Sequence, residues 1–191
     1  MKNVVIGSLV AAVIVFAYQA MSWMVPLFHA NTLKYSAQQD AILAAISQNL
    51  TEDGVYAIPN VPPGSTNEQH EEFSKNMLGK PSAVVHFHKS FDMNMGKQMA
   101  MGFVLNLIAA FTIAYVMWTA REKLVGFGSK FALAIAFAGF TILQSSLMMA
   151  NWWQTPGHYL SGEIIDHLVG WGLGGAWLAW WLGRKQTVSQ P

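Results

Sequence analysis

Residues 4–28 contain no charged side chain, and the same holds for residues 98–120 and 131–153. Each run supplies the roughly 20 helical residues that cross a hydrocarbon core of about 30 Å. A fourth run, from about residue 164 to 183, has the same length but carries Asp166 and His167 inside its outer end, with Glu163 at its lip. Charged residues make up only 11% of the chain, against about 25% in an average soluble domain. The expected fold class is therefore an all-α membrane protein, with four transmembrane helices in a bundle. A cleaved signal peptide is the competing reading of the first run, and its apolar stretch is too long for one. A net charge of +1 without any Lys/Arg cluster sets nucleic acid aside as a partner. The absence of cysteine excludes disulfides, thiolate metal ligation and cysteine nucleophiles.

Orientation follows from the short basic flanks, which stay in the cytoplasm. Lys2 precedes the first run, Arg121, Lys123 and Lys130 lie between the second and third, and Arg184 and Lys185 follow the fourth. All three sites place the N- and C-termini in the cytoplasm, with residues 29–97 extracytoplasmic. Trp152, Trp153 and Tyr159 would mark the outer interface, and Trp118, Trp180 and Trp181 the inner one. The expected organisation is transmembrane helix 1 over residues 1–28, an extracytoplasmic cap over 29–97, transmembrane helices 2 to 4 over 98–185, and a polar tail at 186–191.

A connection as long as 29–97 carries structure of its own. Ser36 and Gln39 read as a capping box, followed by Ile42, Leu43, Ile46 and Leu50 on one helical face. Val55–Ile58 reads as a short strand stopped by Pro59, residues 66–78 as a second, polar helix with acidic early turns, and residues 83–88 as the partner strand. These elements predict a small α+β cap, because a lone two-stranded ribbon is not stable unless packed on something.

Several residues carry potential chemistry. All six histidines fall on the expected outer side or in the outer part of a span. His86 and His88 would share one strand face and could join His29 and His158 around copper or another transition metal, with Met93, Met95, Met99 and Met101 as nearby thioethers. Ordinary membrane-helix methionines and a short His-x-His explain the same residues without a metal. Glu163, Asp166 and His167 form an intramembrane polar cluster, a functional-site hypothesis by default because ionisable groups inside a span are costly unless paired. The favoured reading is a structural pin between the fourth helix and the cap, with Lys89, Lys97 or a Trp N–H as partner; a ligand or proton site is the alternative. Gly170 and Gly174, with Ala132 and Ala136 of the third run and the Ala134/Ala138 row beside them, are small-residue faces for helix packing. Asn106 and Gln144 are the polar residues a transport path would have to use. There is no phosphate loop, nucleophile elbow or zinc-protease helix, so the chain is read as non-enzymatic.

Ser22-Trp23-Met24-Val25-Pro26 with His29, Gly54-Val55-Tyr56 with Pro59, Val85-His86-Phe87-His88 with Met93, and Gly170-Trp171-Gly172-Leu173-Gly174-Gly175 together resemble an uncharacterised family of small four-helix bacterial inner-membrane proteins. The resemblance implies bacterial origin and this topology, and it transfers no catalytic residue. The expected role is that of an accessory or assembly subunit of a larger membrane complex, such as a respiratory one, with the bilayer and other membrane subunits or a second copy as partners. Periplasm-facing metal handling is the alternative, and a small transporter or channel is a distant third.

Overall fold

The computed structural model describes residues 1–25, 29 and 32–184; Pro26, the end of the first apolar run, Lys185 and the polar tail lie outside the described residues. The chain divides into two compact units, one built from residues 1–34 and 94 onward, the other from Tyr35–Met93.

The larger unit holds the long helices α1 (Lys2–Met24), α4 (Met95–Thr119), α5 (Gly126–Thr141) and α7 (Gly157–Gly183). A π-helical segment, Ile142–Leu147, carries α5 into α6 (Met148–Trp153), so residues 126–153 form one continuous rod. Among the described residues, three rods are long and apolar enough to cross a membrane: Lys2–Met24, Met95–Thr119 and Gly126–Trp153. The fourth, α7, runs for 27 residues but is rich in Gly and Trp and carries the ionisable groups noted above. It packs against both α1 and α5, α1 also packs against α4, and α4 touches α5 and α7 only lightly.

Small side chains make these contacts close. On α1 the buried face is Val4, Gly7, Ser8, Ala11, Ala12, Val15 and Ser22, a spacing of three and four along one helical stripe. On α7, a Cβ at Gly174 would stand 2.7 Å from Val15 Cγ2, and one at Gly175 would overlap Ala134. Adjacent glycines thus serve two different neighbours, since successive residues point about 100° apart. Gly170 and Gly174 are buried in the α1 contact. The buried row is Lys130, Ala134 and Ala138 on α5, continued by Ile142 and Ser146 of the π-helical segment, whereas Ala132 and Ala136 lie on the exposed side. Two indoles tie α7 to α1 by donating to its backbone carbonyls, Trp177 to Gly7 at 3.1 Å and Trp181 to Asn3 at 2.8 Å.

The start of α1, the end of α4, the start of α5 and the end of α7 border one cavity. One end of the bundle therefore collects Lys2, Arg121, Lys123, Lys130 and Arg184. Arg121 lies over Trp118 and Arg184 over Trp180 and Trp181, cation–π contacts suited to an interfacial belt.

The smaller unit contains α2 (Gln39–Asn49), β1 (Gly54–Ile58), α3 (Asn67–Met77) and β2 (Ala83–Phe87). The strands pair antiparallel with Val55 opposite His86 and Tyr56 opposite Val85. The expected capping box at Ser36 and Gln39 does not form: Gln38 is the N-cap without a side-chain bond, and Ser36 Oγ accepts from the Gln38 N–H. A capping box forms instead on α3, where the Thr66 hydroxyl accepts from the Gln69 N–H and the Gln69 side chain accepts from the Thr66 N–H. Here Thr66 is extended while the next residue is already helical, the backbone geometry a box needs.

Candidate functional site: a buried carboxylate and imidazole between α1 and α7

Asp166 sits midway along a row of glycines on α7, with Gly162 one turn before it and Gly170 one turn after. That row lies against α1. A Cβ at Gly162 would stand 2.9 Å from His29 Cε1 and 3.1 Å from its Nδ1, and one at Gly170 would stand 3.3 Å from Tyr18 Cδ1. Only glycine at position 162 lets the imidazole reach the carboxylate. Tyr18 and Ser22, four residues apart, share the α1 face opposite Asp166.

The carboxylate accepts three hydrogen bonds. Oδ1 accepts from the Ser22 hydroxyl at 2.6 Å and from the Tyr18 hydroxyl at 3.2 Å, and Oδ2 meets His29 Nε2 at 2.9 Å. The second imidazole nitrogen, Nδ1, lies 3.1 Å from Thr32 Oγ1. A neutral imidazole with its proton on Nε2 donates to Asp166 and accepts from the Thr32 hydroxyl; a charged one donates to both. The Trp23 indole stacks on the ring at a centroid distance of 4.0 Å. The side chains of His29 and Asp166 are only 3% and 9% exposed, so each depends on these partners rather than on water. Among the described residues, Ser146 Oγ is the buried side-chain polar atom left without a partner, and the His29–Asp166 group is closed.

The order Thr32, His29, Asp166 is the hydroxyl–base–carboxylate order of an activated nucleophile. Thr32, however, is 4% exposed, so no substrate reaches its oxygen in this conformation. What the arrangement can do is hold two helices in register and keep a proton between an imidazole and a carboxylate. Deeper in the bundle, Asn106 of α4 donates to Gln19 Oε1 at 2.7 Å, a second polar tie, here between α1 and α4.

Of the residues singled out in the sequence, Asp166 and His29 come together with each other. Glu163 and His167 remain half-buried beside Asp166 on the helix and do not join its hydrogen bonds. His158 is exposed in the first turn of α7, and His86 and His88 are exposed on either side of buried Phe87. His88 Nδ1 lies 3.7 Å from Asp53 Oδ2, both largely solvent-exposed. Met93, Met95, Met99 and Met101 are all exposed. Among the described residues no group of three or more His, Asp or Glu side chains is arranged to hold a metal ion. Sequence reading missed Tyr18, Ser22, Thr32 and Gly162. The available signal was Gly162-x-x-x-Asp166-x-x-x-Gly170-x-x-x-Gly174, an i+4 row with a carboxylate in a line of glycines.

No protein-family model, no curated protein and no solved structure matches this chain.

Proposed function

We propose that this chain is a non-catalytic integral subunit of a bacterial cytoplasmic membrane, crossing it four times with residues 35–93 on the outer side, and that it serves as an accessory or assembly component of a larger membrane complex. Four observations support the membrane reading: three apolar rods of spanning length, a fourth rod packed between two of them, basic residues gathered at one end of the bundle, and a polar group satisfied within it. The accessory role rests on a single observation, the exposure of apolar side chains in the smaller unit. Ile42, Leu43, Val55, Leu78 and Phe91 are all exposed, Phe91 at 87%, and Phe87 is its one buried large apolar side chain. Lipid does not cover a segment held outside the hydrocarbon, and a two-stranded ribbon gains stability only by packing on something. A protein partner supplies that cover.

The test is to extract the tagged chain in mild detergent and identify stoichiometric companions by mass spectrometry, for the wild type and for Leu43→Asp with Phe91→Asp. A fixed set of larger membrane subunits that is lost in the double variant, while the chain keeps its membrane level, is the expected result. A homo-oligomer without companions sinks the proposal. Proton handling is a second reading, favoured by the unbroken Thr32–His29–Asp166 chain.

A further inference from the structure

While the α1–α7 seam stays closed, the Asp166–His29 group has no direct exchange of protons with water. The side chains of His29 and Asp166 are 3% and 9% exposed, Thr32 beside the ring is 4% exposed, and each oxygen and nitrogen of the pair is already engaged within the group. A proton reaches such a group through a neighbouring ionisable side chain that touches water and lies within reach directly or over one water.

Glu163 meets both conditions. It lies three residues before Asp166 on α7, and side chains at that spacing stand about 5–6 Å apart at their Cβ atoms, so a single water spans their carboxyl groups. Glu163 is half-buried where Asp166 is buried. Among the described residues it makes no hydrogen bond and no ion pair, although an ionisable group within a span is costly unless paired. A carboxylate kept for structure would be tied to a neighbour; this one is free to gain and lose a proton. His167 is also half-buried and untied, but it lies a full turn deeper, farther from the Gly157 end of the helix. The remaining titratable groups are otherwise placed. Tyr18 of α1 donates to Asp166 within the closed group, His158 and Tyr159 lie in the first turn of α7, the π-helical segment and α6 carry none, Lys34 and Lys97 are exposed, and Lys130 of α5 borders the cavity at the basic end.

We propose that Glu163 relays protons between water at the Gly157 end of α7 and the Asp166–His29 group. The relay rests on the proton-handling reading given above. In the inward step the proton leaves a Glu163 carboxyl oxygen and passes over one water to an Asp166 carboxylate oxygen, and Glu163 is left ionised. A neutral imidazole facing a carboxylate holds one proton between the two side chains; after the step they hold two, and the pair loses its negative charge. The Ser22 hydroxyl, free to rotate, then turns from donor to acceptor.

The test uses the full chain with carbon-13-labelled aspartate carboxyls in lipid nanodiscs, and follows aspartate protonation by infrared spectroscopy after a pH jump. Asp40, Asp53 and Asp92 are exposed and titrate at once, so the slow phase belongs to Asp166. Glu163→Gln should slow that phase by about 100-fold or more, the contribution of a positioned proton-transfer group, with the thermal midpoint unchanged. Glu163→Ala should be equally slow and should recover when formate, a free carboxyl group, is added; a purely structural defect would not. His167→Gln should leave the rate unchanged. An unchanged rate in Glu163→Gln, an equal loss in His167→Gln, or a loss that formate does not repair would each overturn the relay and leave the proton-handling reading standing. Absence of any Asp166 protonation in the wild type would overturn both.

Discussion

The α1–α7 seam and the Tyr35–Met93 unit solve opposite problems. Along the seam a polar group is enclosed: a carboxylate with three hydrogen bonds and an imidazole with both nitrogens engaged, beside glycines where anything larger would push the helices apart. In the smaller unit several large apolar side chains are exposed, Phe87 is buried, and neither α2 nor α3 has a buried residue. Helices in lipid associate through close packing and hydrogen bonds, because burial of apolar surface drives nothing there. In water the apolar surface is the driving force, and the smaller unit leaves large apolar side chains such as Leu43, Leu78 and Phe91 exposed.

The contrast breaks most readily at Asp166. Asp166→Ala leaves a buried imidazole without its carboxylate and two hydroxyls without their acceptor, and removing one partner of a buried pair destabilises by about 3 kcal/mol or more. Thermal unfolding in detergent should show a drop of many degrees. An unchanged midpoint would end the role of the group as a pin and favour proton handling.

A smaller loss is expected for Gly162→Ala, where the new methyl meets the imidazole at 2.9 Å. Overpacking of this kind costs about 1–3 kcal/mol, and His29 must shift away from Asp166 to relieve it. Chemical-shift or infrared detection of the Asp166 carboxylate would register the broken contact even where the midpoint moves little. An undisturbed carboxylate band would show that the glycine is not what sets the approach.

The weakest effect belongs to the smaller unit. Asp53 Oδ1 accepts the Lys89 backbone N–H at 2.9 Å, with His88 near its other oxygen. The Lys89 N–H first, then the charge and hydrogen bond of His88, hold the Asp53 carboxyl below its ordinary value. A carboxyl depressed in the folded state contributes stability that is fully present above its unfolded value and is lost as pH falls through the folded one. Local opening at the end of β2 should therefore increase in acid below the ordinary carboxylate range. Hydrogen exchange at the Lys89 amide, corrected for intrinsic rate, measures it, and Asp53→Asn should abolish the pH dependence while the α1–α7 seam is unaffected. Equal acid sensitivity in wild type and variant would remove Asp53 from the account.

The helices and strands were legible because their signals are local. The uncharged runs of spanning length, the short strand stopped by Pro59 and its partner at residues 83–88 are each read from contiguous residues. Details of the caps were harder: Ser36 with Gln39 and Thr66 with Gln69 carry the same spacing, and only the backbone entering Asn67 brings both bonds of a box into place. The site was half legible. Asp166 stands out because a carboxylate in an apolar run is rare, yet its partner His29 lies 137 residues away, and local spacing cannot reach that far.

Composition and pattern alone determined that the chain forms long apolar rods with basic flanks and a polar segment between the first two, since length and hydration energy suffice for that decision. Which faces meet was decided by the tertiary structure. The Ala132/Ala136 and Ala134/Ala138 rows are equally small, and it is Ala134 that meets Gly175 and is buried. Likewise Asp166 belongs to His29, Ser22 and Tyr18 rather than to its own neighbours Glu163 and His167. The physical reason is the same in both cases: a helix presents several compatible stripes, and only the closest approach of a second backbone, with its hydrogen bonds satisfied, selects among them.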